Sequence, residues 1–180
     1  MEHAEKTAKD RRNALFGKHR PVVRRLEILD GEQYSRDMAV LWAAYIAGSF
    51  KWPSGLSQED FVSSVEQMLG MFSQVWIVDD HSTAFGNGRG PISLIGTKAE
   101  GLAITAEGLP FKWATKRQIM KQAVAFLQML RKSSKVGVCF IKATPQTFNL
   151  MKHLHNYDVA HYVGKIANDA FLFAIRGRAG

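Results

Sequence analysis

The sequence predicts an α+β domain, and three observations support this fold class. The chain has 180 residues, of which 46% are hydrophobic and 11% are aromatic, which is enough for one domain with a substantial core. The spacing of its apolar residues alternates between the helical period and the strand period. Proline, glycine and helix-capping residues fall where the period changes. Together these features predict, from about residue 22 to 176, a strand, two helices, three strands, a helix, a strand, a helix and two strands.

The first half of this order begins with a strand at residues 22–29. A helix is predicted over 32–50, and it should end before Pro53 because the residue preceding a proline disfavours the helical conformation. Ser57 is the predicted N-cap of the second helix. Strands follow from Gln74 and at residues 92–97 and 102–106. The glycine-rich segment Phe85–Pro91, between the strand from Gln74 and the strand at 92–97, is predicted to form a hairpin loop. It is not a phosphate-binding P-loop, because it lacks the Lys-Ser/Thr pair and no helix follows it.

The second half contains the clearest periodic pattern. A helix is predicted from Thr115 to Lys132, with apolar residues recurring on one face. A buried strand at 136–141 comes next. Thr144-Pro145 then provides a cap followed by a proline in the first helical turn. Two final strands, at 160–166 and 170–175, form a predicted hairpin around Asn168-Asp169.

Charge is distributed unevenly along the chain. The net charge is +8, and the fifty residues between Glu107 and Asp158 contain no acidic residue. A region of one sign attracts phosphate, either on a nucleotide cofactor or on nucleic acid. Lys116, Arg117 and Lys121 fall in the first turns of a helix, where cations oppose the helix dipole, so a bound phosphate or an acidic partner surface would be favourable there. The nine cations of this stretch are Lys112, Lys116, Arg117, Lys121, Arg131, Lys132, Lys135, Lys142 and Lys152.

The termini and the cysteine content limit the cellular setting. Residues 1–20 predict a basic, solvated N-terminal arm, and residues 21–180 a single domain. Cys139 is the only cysteine and falls in an apolar run, so it is interpreted as a small buried residue. An intramolecular disulfide is therefore impossible, which favours the host cytoplasm or the interior of a virion over secretion. The chain has no apolar run of the length that spans a bilayer, so no membrane partner is expected.

The last seventy residues resemble the GCN5-related N-acetyltransferase (GNAT) family. The strand at 102–106, the helix from Thr115, the strand at 136–141 and the helix from Thr144 are similar to the acetyl-CoA-binding half of that family. Tyr162-Val163-Gly164 and Phe171–Ile175 resemble its closing hairpin. The resemblance implies a GNAT-like α/β sandwich, with a mixed, mostly antiparallel central sheet flanked by about four helices.

The chain also resembles the acetyltransferase-like internal virion and structural proteins of tailed bacteriophages. Those proteins end in a comparable succession of strand, helix, strand, helix and strand, in which the second helix contains Phe-Leu-Lys. In this chain Asn149-Leu150-Met151-Lys152 occupies the position of that Phe-Leu-Lys sequence. The likeness implies a virion or assembly protein of the same fold.

The GNAT resemblance implies specific site residues. Glu107, at the end of a strand, would be the general base, although a solvated loop carboxylate is the alternative interpretation. Lys112, Lys116 and Arg117 would hold the phosphates of acetyl-CoA. Two departures from the family pattern oppose activity. The family's glycine-containing pyrophosphate loop is missing, because residues 110–136 include no glycine, and Met151 stands where the family has a proton-donating tyrosine.

These observations favour a GNAT-fold bacteriophage virion or assembly protein with a degenerate acetyl-CoA site and no bound cofactor. Its expected partners are other virion or assembly proteins, and also nucleic acid through residues 108–157 and the N-terminal arm. The alternative is an active N-acetyltransferase that uses acetyl-CoA. Nucleic-acid binding as the sole function ranks last. His153, His155 and His161 are interpreted as surface histidines rather than metal ligands.

Overall fold

The computed structural model describes residues 2–48, 52–79, 92–100, 103–109, 115–133, 138–168 and 170–176. Within these ranges seven strands form one sheet in the order β1-β2-β3-β4-β5-β7-β6. The strands are β1 (Val22–Arg25), β2 (Gln74–Asp79), β3 (Ile92–Glu100), β4 (Ala103–Leu109), β5 (Val138–Ala143), β6 (His161–Ala167) and β7 (Ala170–Arg176). The helices are α1 (Glu2–Phe16), α2 (Gly31–Ile46), α3 (Gln58–Met71), α4 (Lys116–Ser133) and α5 (Pro145–Leu154), and a 3-10 turn, His155–Tyr157, follows α5.

The strand pairing confirms the predicted fold class. Among the described strands, β4 and β5 run parallel, and every other neighbouring pair is antiparallel. The parallel pair requires a crossover, which α4 provides. The result is a mixed, mostly antiparallel sheet with helices on both faces, an α+β arrangement.

Most helix boundaries follow from local capping. The Ser57 side chain accepts a hydrogen bond from the Asp60 backbone N–H at 3.1 Å, which confirms the predicted N-cap of α3. Thr144 begins α5 as predicted, and it forms a reciprocal capping box with Thr147. The predicted first strand is too long, because β1 ends at Arg25 and the following Ile28 and Leu29 are exposed.

Two hydrophobic cores lie on opposite faces of the sheet. Helices α2 and α3 cover one face of β1–β3, where Leu41, Phe61 and Ile77 are fully buried. Helices α1, α4 and α5 cover the other face with a second cluster that includes Val124 and Phe173. The two clusters follow from the alternation of side chains along each strand.

The N-terminal segment packs against the domain, which differs from the solvated arm expected for it. Residues 2–16 form α1, and Ala8 and Leu15 of this helix are buried. These residues are seven positions apart and therefore lie on one helical face. Arg12 donates a hydrogen bond to the backbone oxygen of Tyr157, and Arg117 of α4 donates one to the backbone oxygen of Ala14 at 3.1 Å. The division of the chain at residue 20 remains a prediction.

A search of the helices in the described ranges finds none with both the length and the apolar character needed to cross a bilayer.

Candidate functional site

The parallel pairing of β4 with β5 ends close to the end of β5 at Ala143. The two strands are paired from Ala103↔Phe140 to Thr105↔Lys142, and the described pairing ends there. Strand β4 nevertheless continues to Leu109, bonded on its other side to β3. Beyond Thr105, the edge of β4 that faces β5 therefore has no strand partner among the described residues. Backbone N–H and C=O groups at such an edge can bind an extended chain.

A cavity of about 200 Å³, open to solvent on one side, lies between the sheet, α4 and α5 near the end of β5. Its walls are mostly apolar, because β4, β5 and both helices direct small or aliphatic side chains into it. Its apolar lining residues are Ile95, Ala106, Ile119, Ala123, Phe126, Leu127, Ile141, Ala143, Leu150, Met151 and Leu154. An apolar cavity with a few polar groups is the usual form of a small-ligand site.

Four polar residues contribute to the cavity wall: Ser93, Gln122, Lys142 and Thr147. Ser93 and Gln122 are both buried, and the Ser93 hydroxyl donates a hydrogen bond to Gln122 Oε1. Thr147 Oγ1 accepts from the Thr144 backbone N–H at 3.0 Å. These bonds fix the orientation of the polar side chains, so the cavity has a defined polar surface within an apolar lining.

The N-terminus of α4 is stabilised by residues of its own helix. The Gln118 side chain accepts a hydrogen bond from the Thr115 backbone N–H at 2.8 Å, and the Thr115 hydroxyl accepts one from the Gln118 N–H at 3.2 Å. This is a reciprocal capping box. It occupies two backbone donors that a helix N-terminus would otherwise offer to an anion.

The residues predicted to bind phosphate are only partly brought together. Lys116 is exposed in the first turn of α4. Arg117 neighbours it but donates to the last turn of α1, where the free carbonyls and the negative end of the helix dipole favour a cation. Lys112 lies outside the described residues, as do Phe111 and Trp113.

Glu107, the predicted base, lies in β4 two residues beyond the last pair with β5. Its backbone pairs with Gly96 of β3, and its side chain is outside the described part of the structure. Its role as a base stays a prediction.

The position that the resemblance assigns to a tyrosine is held by Met151, which is buried and lines the cavity. Tyr157 is not a substitute, because it lies in the 3-10 turn and packs against the core instead of the cavity. The structure therefore places a thioether, which cannot donate a proton, in the cavity wall.

The basic stretch does not form one continuous surface. Lys121, one of the cations predicted in the first turns of α4, is only 5% exposed. Arg131 donates to the backbone oxygen of Asp158 at 3.2 Å and lies 3.6 Å from its carboxylate. His161 approaches the same carboxylate at 3.1 Å, and the rings of His155 and His161 are in contact. In the described ranges no three metal-ligating side chains converge.

The sequence analysis missed Gln122 and Thr147 as residues of the site. Gln122 is a polar residue within the apolar face of α4, between Ile119 and Phe126, and such a position is a signal for a buried polar contact. Thr147 is the third residue of α5, a position that commonly pairs with an N-cap.

No protein-family model and no curated protein sequence matches the chain. Among solved structures it is similar to RimL, a ribosomal L7/L12 α-N-protein acetyltransferase in complex with coenzyme A, at 14% identity, a TM-score of 0.46 and coverage of 90% of this chain and 94% of that one. It is similar to FdhC, a nucleotide-linked sugar GNAT, at 9% identity, a TM-score of 0.44 and coverage of 87% and 86%. It is also similar to a chain of the NatC complex bound to Gag peptide and CoA, at 11% identity, a TM-score of 0.38 and coverage of 87% and 98%. Each similarity extends over most of both chains at low sequence identity.

Proposed function

We propose that the chain binds the pantetheine arm of acetyl-CoA in the β4–β5 cavity and transfers the acetyl group to an amine. The observation that supports this function is the apolar cavity beside the end of β5, next to the part of β4 that continues beyond its pairing with β5. A pantetheine arm is an extended chain with two amide groups. Beyond Thr105, where the described residues include no strand partner on the β5 side, the edge of β4 offers backbone groups to those amides, in the manner of an added strand.

The residues around the cavity are better suited to the pantetheine arm of acetyl-CoA than to its phosphate groups. Ala106, Ala123 and Ala143 leave room between the elements, and the aliphatic wall suits the methylene groups of the arm. At the phosphate end, the capping box of Thr115 and Gln118 uses backbone donors of α4. Phosphate binding would therefore depend on cationic side chains such as Lys116, and on Lys112 as proposed from the sequence.

Acetyl-CoA, when bound, supplies a thioester carbonyl that a neutral amine can attack. The protein must then accept a proton from the amine nitrogen, and Glu107 is the proposed acceptor. Replacing a general base typically lowers the rate by about 10²- to 10⁴-fold. Met151 donates no proton, so the departing thiolate is expected to take its proton from solvent.

A second candidate function is a virion or assembly protein of a tailed bacteriophage with an inactive acetyl-CoA site. Two observations favour it: the self-capped N-terminus of α4 and the methionine at the position of the acid. In this proposal the partners are other virion or assembly proteins, and nucleic acid bound through residues 108–157 and the N-terminal segment. Nucleic-acid binding of that kind should weaken steeply as the salt concentration rises.

Thermal denaturation with and without acetyl-CoA, combined with an assay for released thiol, separates the two proposals. A ligand that binds only the folded state at 100 times its dissociation constant stabilises that state by about 2.7 kcal/mol. The acetyltransferase proposal predicts this stabilisation together with thiol release in the presence of an amine. Stabilisation without thiol release across a panel of amines would favour the inactive virion protein. Absence of any stabilisation at millimolar acetyl-CoA would reject the acetyl-CoA site.

A further inference from the structure

Three polar residues lie side by side on three adjacent strands, on the sheet face opposite α4 and α5; one of them, Lys142, also borders the cavity. Lys98 of β3 is paired in register with Thr105 of β4, and Thr105 is paired with Lys142 of β5. Residues paired in register have side chains on the same face of a sheet. We call these residues the Lys98–Thr105–Lys142 row.

The face that carries the row is only partly covered in the described part of the chain. The core beneath α2 and α3 extends to Leu94 of β3 and contains no described residue of β4, β5 or β7. On those three strands, residues of the same face such as Thr105, Lys142 and Leu172 are half-buried. The row therefore lies beside the packed core, with Lys98 exposed and Thr105 and Lys142 half-buried.

The threonine at the centre of the row has an unsatisfied hydroxyl. Thr105 Oγ1 is inaccessible to solvent and makes no hydrogen bond. Buried hydroxyls in folded proteins nearly always have a partner, so an orphaned one indicates a missing ligand or water. A hydroxyl can donate a hydrogen bond to an anionic oxygen.

Two ammonium groups flank this hydroxyl. The Nζ atom of Lys98 lies 5.2 Å from the centre of the Phe72 ring, which holds it over this face by a cation–π contact. Lys142 is half-buried on the other side. Since neighbouring strands are about 4.8 Å apart, the backbones of the two lysines are about 10 Å apart, with Thr105 between them. Both side chains are long enough to reach one anion held at the threonine.

The row also has a defined position relative to the reaction site. Thr105↔Lys142 is the last described pair of β4 and β5, and the next residues of the two strands, Ala106 and Ala143, line the cavity. The side chains of the row lie on the face opposite α4 and α5, while Lys142 also borders the cavity. The row therefore lies next to the cavity on the other side of the sheet.

We propose that the Lys98–Thr105–Lys142 row binds an anionic group, a carboxylate or a phosphate, of the acyl acceptor. This inference rests on the proposed function, because it identifies the ligand as the molecule that accepts the acetyl group. The anion site itself can be measured without any transfer activity. The acceptor is then a molecule with an amine and a negatively charged group, such as an amino acid or an amino sugar phosphate.

The test is a titration of the full-length protein with inorganic phosphate, followed by amide chemical shifts in two-dimensional NMR. The proposal predicts saturable shifts at residues 98, 105 and 142, and a dissociation constant raised at least tenfold in Lys142→Gln and in Lys98→Gln. Lys132→Gln, which removes an exposed lysine at the end of α4, is the matched control and should bind phosphate as the wild type does. Shifts that do not saturate, or that are equal in all variants, would show an adventitious ion only and overturn the proposal.

Thr105→Val distinguishes a binding role from a structural one. Without ligand this variant should be at least as stable as the wild type, because valine has the shape of threonine and lacks the unpaired hydroxyl. It should nevertheless bind phosphate more weakly. A stable Thr105→Val variant with unchanged phosphate affinity would contradict the proposal.

A second titration in saturating CoA separates the acceptor from the phosphates of CoA. Phosphate binding that persists in the presence of CoA supports the acceptor assignment, and phosphate binding that CoA abolishes overturns it. If acetyl-CoA binds but phosphate does not, this inference fails and the proposed function stands. If phosphate binds the row but acetyl-CoA does not stabilise the protein, the proposed function fails and the acceptor assignment fails with it, while the row remains an anion site.

Discussion

The two halves of the sheet differ in how completely they are packed. In the first half, α2 and α3 cover β1–β3 with an aromatic cluster in which the Tyr45 and Phe61 rings stack at 4.9 Å and the Trp42 and Tyr45 rings at 5.3 Å. In the second half, α4 and α5 enclose a cavity of about 200 Å³ over β4 and β5. A pocket of about 310 Å³ also borders the first half, but exposed residues such as Arg25 and Glu27 contribute to its lining. We call the first half the filled half because aromatic rings pack its core, and the apolar cavity of the second half is where a ligand is expected.

The strand pairing explains the difference. Antiparallel neighbours in the first half remain bonded along their length, as β2 and β3 do from Gln74↔Thr97 to Asp79↔Ile92. The parallel neighbours β4 and β5 share three described pairs, and β5 ends at Ala143 while β4 continues to Leu109. The cavity lies beside this end of β5, where small side chains such as Ala106 and Ala143 line it.

The largest expected effect comes from truncating the filled core. Phe61 is 1% exposed and contacts three other aromatic rings, so Phe61→Ala should lower the free energy of unfolding by about 3–5 kcal/mol. Leu150→Ala, in the half-buried wall of the cavity, should cost about 2 kcal/mol or less, at the low end of the range for such truncations. Urea denaturation measures both values. Equal losses would contradict the difference in packing between the two halves.

Enlarging an alanine tests the same difference in the opposite direction. Ala44 of α2 is buried in the filled core, and Ala44→Leu should destabilise the fold by about 1–3 kcal/mol through overpacking. Ala123 of α4 lines the cavity, where leucine has room, so Ala123→Leu should change stability by less than about 1 kcal/mol. Denaturant midpoints of the two variants give the comparison. A destabilised Ala123→Leu variant together with a neutral Ala44→Leu variant would contradict the proposed difference in packing between the two halves.

A glycine in β3 marks the border between the two halves. A Cβ atom at Gly96 would lie 2.5 Å from the ring of Phe72, so Gly96→Ala should destabilise the fold by about 1–2 kcal/mol. Gly164 of β6 is the control, because a Cβ atom there meets nothing within 4 Å. Thermal unfolding should show the loss in the first variant only. Adding Phe72→Leu should restore part of the stability lost in Gly96→Ala, and failure of both expectations would disprove the contact.

The smallest effect concerns pH at the edge of the filled half. Burial, followed by the hydrogen bond to Glu66 at 3.0 Å, raises the pKa of Tyr34 from 10.0 to about 12. Since the unfolded chain releases this proton at lower pH than the folded one, Tyr34 contributes stability below pH 10 that is lost as the pH rises to about 12. Tyr34→Phe should therefore show a shallower loss of stability than the wild type between pH 10 and 12. Parallel curves for the two proteins would show that Tyr34 titrates normally.

The sequence analysis predicted local structure well, because local chemistry determines it. The N-caps Ser57 and Thr144 lie where their sequence patterns placed them. The parallel pairing of β4 with β5 and the alignment of Lys98 and Lys142 through Thr105 could not be predicted, because non-local strand pairing determines both. The packing of α1 was also missed, since its buried face consists of a few small or isolated residues such as Ala8 and Leu15.

The functional residues show the same limit. Met151 was identified from the sequence as a departure from the family pattern, and the structure places it in the cavity wall. The cavity itself, with its buried pair Ser93 and Gln122, joins a strand to a helix 29 positions away. The periodicity of apolar residues predicts individual helices and strands, and it does not predict a contact between residues 29 positions apart in the sequence.

Calorimetric titration of acetyl-CoA into the wild type and Ala123→Leu tests the central claim most directly. If the β4–β5 cavity holds the pantetheine arm, the wild type should bind acetyl-CoA, and the leucine that fills the cavity should weaken binding at least tenfold without unfolding the protein. Equal affinities in the two proteins would place the ligand elsewhere, and no heat of binding in the wild type at millimolar acetyl-CoA would contradict the claim.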